Sequence, residues 1–266
     1  MSQTTIYIYL SFIFFLTYGK NIIADSFDIT PNVYYFNYEE FSQSNKSLNK
    51  EDGFLPGLKL RYTTLLDKHQ FSAYTSLHYG TVDYRGQTQG GQPLNTRTDE
   101  KIIQLGFEFK SEQLDQIPAS IIMGIRHWEW DREIQGLENV IGLHELYTWN
   151  EASIGLHIQS EAKNNVHYWS NLSALYTISP DMEIFLPNSS LTLNLEGRPG
   201  FRFNAGASWN HNTQQLIKLS FIAEYWAFGR SNTVFTNDFF GNAAFLTEPR
   251  SESIHTGIEL TYSYQF

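Results

Sequence analysis

The residues best equipped for chemistry are carboxylates, arginines and a few scattered histidines. Glu39, Glu40, Asp83, Asp99, Glu129, Asp131 and Glu145 recur beside Arg85, Arg97, Arg132 and Arg230. Paired carboxylates with a histidine could activate a water for hydrolysis, provided the fold brings them within hydrogen-bond reach. Only His144 falls near that set. His69, His78, His127, His157, His167, His211 and His255 show no His-x-His or His-Glu-x-x-His spacing, so no metal site is expected. Gln89-Gly90-Gly91-Gln92 lacks a lysine and follows no strand-to-helix transition, which makes it a flexible loop rather than a phosphate cradle. The absence of cysteine removes thiol catalysis, disulfides and thiolate zinc sites together. No cofactor is expected.

The elements that must position these groups read as strands. In 200–209, Phe201, Phe203, Ala205, Ala207 and Trp209 alternate with Arg202, Asn204, Gly206 and Ser208. Successive strand side chains point to opposite faces, so this is one apolar and one polar surface. Leu58, Leu60 and Tyr62 likewise oppose Lys59, Arg61 and Thr63, and Ile217, Leu219, Phe221 and Ala223 oppose Lys218, Ser220 and Glu224. No window keeps a capped helical stripe. About ten strands follow, at 27–39, 53–65, 69–82, 100–110, 119–130, 145–159, 166–177, 191–209, 215–230 and 251–266. The long run 191–209, interrupted by Pro199, leaves eight or twelve open.

The connections alternate in length. Short ones fall at Leu66–His69, Glu161–Asn165 and His211–Gln214, with a longer one at Lys110–Pro118. The extended polar segments are Ser42–Asp52, Asp83–Asp99, Asp131–His144, Ile178–Ser190 and Ser231–Arg250. Alternation places all short turns at one end of a sheet, the layout of an outer-membrane barrel with periplasmic turns and long extracellular loops. The fold class expected is all-β, a single antiparallel transmembrane barrel over 25–266.

The last strand carries the most specific pattern. Ile254, Thr256, Ile258, Leu260, Tyr262, Tyr264 and Phe266 share one face. Leu260, Tyr262, Tyr264 and the final Phe266 resemble the assembly signal of Gram-negative outer-membrane β-barrel proteins. That resemblance implies recognition by the barrel-insertion machinery. Tyr38-Glu39-Glu40-Phe41, Glu51-Asp52-Gly53 and Asp83-Tyr84-Arg85-Gly86-Gln87-Thr88 are also similar to an uncharacterised family of small exported barrels, which brings no activity with it. In size the chain resembles the omptin proteases, which implies acidic and Asp–His residues in a cleft at the extracellular mouth. Here the mouth has carboxylates, but no Asp-x-His pair falls there. The His-x-Ser pair of the lipid A deacylases is missing too, since Ser253 and His255 run in the opposite order.

Composition agrees with export to a membrane. The chain has 266 residues, 16% aromatic and only 17% charged, with a net charge of −10 that argues against a nucleic-acid partner. Ile6 to Tyr18 is an uncharged apolar run of signal-peptide length ending near Ile22-Ile23-Ala24, so residues 1–24 are expected to be a cleaved signal peptide. Its removal leaves 17 basic against 28 acidic residues, a charge of −11.

The polar face defines the predicted lumen. Lys59, Arg61, Arg126, Arg202 and Lys218 stand there with Glu108, Glu151, Glu224 and Glu259, beside Tyr147, Trp149, Trp169 and Trp226. Buried charges are tolerable only when paired, and a barrel of this size is nearly filled by its own side chains. The expectation is therefore a largely plugged barrel in the outer membrane of a Gram-negative bacterium. It would be surrounded by lipid and lipopolysaccharide, with a structural or surface-interaction role through loops 83–99 and 231–250, and would not be an enzyme. A narrow solute channel and an omptin-like rim hydrolase are the alternatives.

Overall fold

A computed structural model of the chain describes residues 25–87, 91–114, 117–137, 140–186, 189–237 and 242–266. The expected signal peptide, residues 1–24, lies outside the described residues. In chain order the strands are β1 (Asp25–Phe41), β2 (Ser47–Leu66), β3 (His69–Gln87), β4 (Pro93–Lys110), β5 (Ala119–Ile134), β6 (Leu143–Gln159) and β7 (Val166–Leu186). They continue with β8 (Ser189–Asn194), β9 (Glu196–Gly197), β10 (Pro199–Asn210), β11 (Gln215–Gly229), β12 (Val234–Asn237), β13 (Ala243–Leu246) and β14 (Arg250–Gln265). Among the described residues there is no helix.

Ten of these strands close an antiparallel barrel in the order β1 to β7, β10, β11, β14. β14 returns beside β1, with Phe27 opposite Tyr264 and Phe41 opposite Arg250. Closure matters because an open edge in hydrocarbon would leave backbone N–H and C=O groups unpaired. The ambiguous run 191–209 is two elements. β8 pairs with the upper part of β7, and β10 begins at Pro199 and pairs with β7 from Tyr176 downward. A bulge in β7 at Ser179, whose φ is +47°, separates the two pairings.

The outward residues form an apolar belt about one strand-span tall. On β1 it runs from Phe27 through Ile29, Pro31 and Val33 to Tyr35; above it the outward residues are Asn37 and Glu39. Nine residues match the 9–11 a tilted spanning strand needs. Leu172, Leu219, Ile254 and Ile258 continue the belt, each about half exposed. A soluble protein would not leave this much contiguous apolar surface uncovered. Leu260, Tyr262, Tyr264 and Phe266 all lie on this face at the short-turn end. Of the turns there, that after Lys163 has both Asn164 and Asn165 at positive φ between the bridged Lys163 and Val166. This is the mirror-image turn whose twist suits a hairpin, and asparagine tolerates it best after glycine.

The long connections are shorter than the sequence suggests. β3 continues to Gln87 and β4 starts at Pro93, so most of 83–99 is ladder; the same holds for 131–134, 143–144 and 47–52. The physical reason is solvent. Above the belt the outward face stands in water and turns polar, which erases the apolar alternation while the strand continues. The inward face keeps its parity throughout. In 231–250, β12 and β13 form a separate hairpin, with Val234 and Leu246 packed onto the barrel's aromatic core and Phe235 against Phe245 on the exposed side.

Candidate functional site

Every lumen residue expected from the polar face is inside the barrel, and they sort into levels. At the short-turn end is a polar cavity of about 390 Å³, lined by residues including Lys59, Arg61, Glu108, Lys218 and Glu259. Lys59 Nζ donates to Glu259 Oε1 at 2.7 Å, Arg61 Nη1 to Glu108 Oε1 at 2.8 Å, and Lys218 Nζ to Asp28 Oδ2 at 3.3 Å. Tyr34 OH adds a 2.8 Å bond to Glu259. Trp169 belongs to this level too, rather than to the aromatic layer above.

At the waist, four strands supply a neutral quartet. Arg126 Nη2 donates to both oxygens of Glu151, at 2.8 and 2.7 Å, and to Glu224. Arg202 donates through Nε to Glu224 and through Nη2 to Glu151, both at 2.8 Å. Two guanidiniums and two carboxylates thus neutralise one another away from solvent, with only Arg126 Nε among their described polar atoms left buried and unpaired. Breaking such a buried set from one side costs about 3–5 kcal/mol, because the abandoned charge stays in low dielectric.

Above the quartet the lumen is filled with rings. Trp128 stacks on Trp149 with centroids 4.8 Å apart and planes at 15°, and Trp226 lies 5.0 Å from Trp128. Trp130 stacks on Tyr147 at 4.8 Å and meets Phe36 and Tyr38 edge-on. Leu55, Ile102, Met182, Leu193 and Phe228 complete the layer, and none of these side chains exceeds 1% exposure. The Arg126 guanidinium sits 4.3 Å over the Trp128 ring and joins the two levels.

The highest level, above the apolar belt, was not anticipated as a lumen network. Arg132 is enclosed by Glu40, Glu51 and Glu145, with N–O distances of 3.5, 2.8 and 2.6 Å. Glu100 accepts from Trp130 Nε1, and Glu248 accepts from Tyr147 OH at 3.0 Å and Tyr38 OH at 3.4 Å. Five buried carboxylates therefore gather about one buried guanidinium, three of them in ion-pair contact with it. Burial pushes the carboxyls of Glu40, Glu100 and Glu248 up, and neighbouring glutamates push the same way; Glu145 rises to about 7. Strand parity carries the signal that finds this level, since Arg132 and Glu145 share the faces of Arg126 and Glu151.

The rim set expected from sequence is divided between two faces. Glu40, Glu145 and Arg132 point inward and are buried. Glu39, Asp83, Arg85, Arg97, Asp99, Glu129 and Asp131 stand on the outer wall. His144 is also outside, 2.8 Å from Asp131 and stacked on Phe185 at 4.4 Å. The chain's one Asp-x-His spacing, Asp67–His69, sits in the turn between β2 and β3 at the opposite end of the barrel. No described cluster has metal-ligating geometry.

No protein-family profile and no curated protein matches the sequence. Among solved structures, the outer membrane protease OmpT from Escherichia coli is similar over 94% of this chain and 100% of its own, with 10% identity and a TM-score of 0.62. OprG from Pseudomonas aeruginosa is similar over 92% and 97%, with 10% identity and a TM-score of 0.41. At 10% identity the likeness to OmpT shows the fold alone, a closed antiparallel β-barrel.

Proposed function

We propose that the chain is an integral outer-membrane protein whose lumen is closed and whose work is done by the part that rises above the lipid, in a structural or surface-interaction role. The observation that carries this reading is the ring layer built on Trp128, Trp149, Trp226, Trp130 and Tyr147, continuous from wall to wall above a neutral ion-pair quartet. A path for solute needs unfilled cross-section, and these rings fill it. The belt meets membrane lipid and lipopolysaccharide, the aromatic face of β14 is what the barrel-insertion machinery would read, and a signal peptide would precede the barrel. For contact with a partner, the strand extensions over 83–99 and the hairpin within 231–250 present the most surface, including the Phe235–Phe245 pair. Replacing residues 233–247 by a short Gly-Ser link should abolish surface attachment while leaving the heat-modifiable gel mobility of a folded barrel. Attachment unchanged by that replacement and by shortening 84–98 would refute the role assigned to the extensions.

A rim hydrolase is the second reading, and the carboxylate cluster at the mouth favours it. It requires Glu40 or Glu145 to reach a substrate water, yet both are buried on Arg132. Turnover that is lost in Glu145→Gln with folding intact would establish it.

A further inference from the structure

The cavity at the short-turn end is a pocket rather than a passage, since the quartet and the ring layer occupy the lumen above its level. Three of its four lysines and arginines are spoken for: Lys59 by Glu259, Arg61 by Glu108, Lys218 by Asp28. The fourth, Lys110, lines the same cavity half-buried and has no carboxylate within ion-pair distance among the described residues. Glu108 and Glu112, its equally near acidic neighbours in sequence, are already bonded to Arg61 and Lys68. The lining is thus left with one cation in excess.

The cavity has further unmet capacity. Among the described residues, Asn204 Oδ1 and Asp28 Oδ1, on other strands of the same lining, are buried without a donor. His157 is held by Asn171 Oδ1 at 2.6 Å and lies roughly parallel to the Trp169 ring, centroids 6.5 Å apart. Trp169 thus brings an indole ring to a lining that also carries a cation and unpaired acceptors. The complement is one molecule with an anionic group for Lys110, hydroxyl donors for Asn204 and Asp28, and a ring face to lie against the indole. A hexose unit carrying a carboxylate or a phosphate has all three. The cavity's 390 Å³ is at the small end of ligand pockets and suits a single such unit.

We propose that this cavity binds a small anionic saccharide entering from the side of the short turns. Charge-assisted bonds to the ammonium would supply selectivity for the anion, and the indole would supply affinity for the ring.

The test uses the refolded chain in detergent, titrated calorimetrically with glucuronate, glucose 6-phosphate and glucose. The expected result is saturable 1:1 binding of at least one anionic sugar, with glucose weaker by about tenfold or more. Glucuronate alone would assign the carboxylate, glucose 6-phosphate alone the phosphate. Lys110→Met should weaken the anionic sugar to the level of glucose, Lys110→Arg should preserve it, and Trp169→Ala should weaken charged and neutral sugars alike. Lys68→Met, in the neighbouring turn and paired with Glu112 outside the cavity, should change nothing. Each variant is first checked by gel mobility, and Lys110→Arg with Trp169→Phe serve if the others fail to fold. No saturable binding of either anionic sugar, equal affinity for glucose, or binding indifferent to Lys110→Met in a folded barrel would overturn the proposal.

Discussion

Replacing Arg132 by methionine isolates the physics of the uppermost level. The substitution keeps an unbranched stem and removes the one guanidinium that the described residues place in ion-pair contact with Glu40, Glu51 and Glu145, beside Glu100 and Glu248. Stranding buried carboxylates costs about 3–5 kcal/mol unless they take up protons instead. Holding one carboxyl protonated costs about 1.4 kcal/mol for every pH unit above its titration point. The penalty should therefore be full near pH 8 and nearly gone at pH 5. The wild type should lean the same way with smaller amplitude. Glu145 titrates near 7 rather than near 4.5 because of burial, so its contribution is complete below its unfolded value and is lost as pH rises through about 7. The element that feels this is the segment 231–250, which is tied down by Glu248 and by the reciprocal Ser231–Glu248 bonds of 3.0 and 2.8 Å. Trypsin cleavage at Arg230 and Arg250, which flank that segment, reads the opening directly in intact proteoliposomes. Arg132→Met should be cut at least about a hundredfold faster than wild type at pH 8, and at a similar rate at pH 5 after correction for the protease's own pH profile. Equal protection of variant and wild type at pH 8, or a defect that persists at pH 5, would refute the account of five carboxylates on one cation.

Other consequences follow from the same geometry. Trp226→Ala removes a ring from the middle of the plug, costing about 3–5 kcal/mol by loss of packing, and should create a measurable unitary conductance in planar bilayers. Arg126→Met should lower unfolding stability by about 3–5 kcal/mol in urea without opening the lumen, since the ring layer above it is untouched. Ile258→Arg, on the lipid face, should cost about 2–4 kcal/mol and reduce membrane insertion, whereas Asp83→Lys, on the outer wall above the belt, should fold as wild type. Asn165→Ala should destabilise the β6–β7 hairpin by about 1 kcal/mol, because its φ of +63° suits asparagine better than alanine.

Strand parity made much of this legible. Each expected lumen residue, from Lys59 to Glu259, occupies the inward face, because an alternating pattern in lipid has one solution once the apolar side is known. Strand length above the membrane was not legible. Beyond Tyr35 or Tyr79 the outward face meets water, so the residues read as loop although the ladder continues. The same loss of contrast hides the Arg132 cluster: Arg132, Glu40 and Glu145 read as rim residues although Glu145 and Glu151 lie on one face of one strand, and Glu51, Glu100 and Glu248 draw no notice. Which inward charges meet, such as Lys59 and Glu259 on the two strands flanking β1, depends on barrel closure and is written in no local pattern.

The closed lumen is the claim on which the rest depends, and single-channel recording of the refolded chain, beside a gel shift that verifies folding, addresses it most directly. The account predicts a folded barrel that stays silent until Trp226 is truncated. Reproducible unitary conductance from the folded wild type would contradict it and make the lumen the functional element.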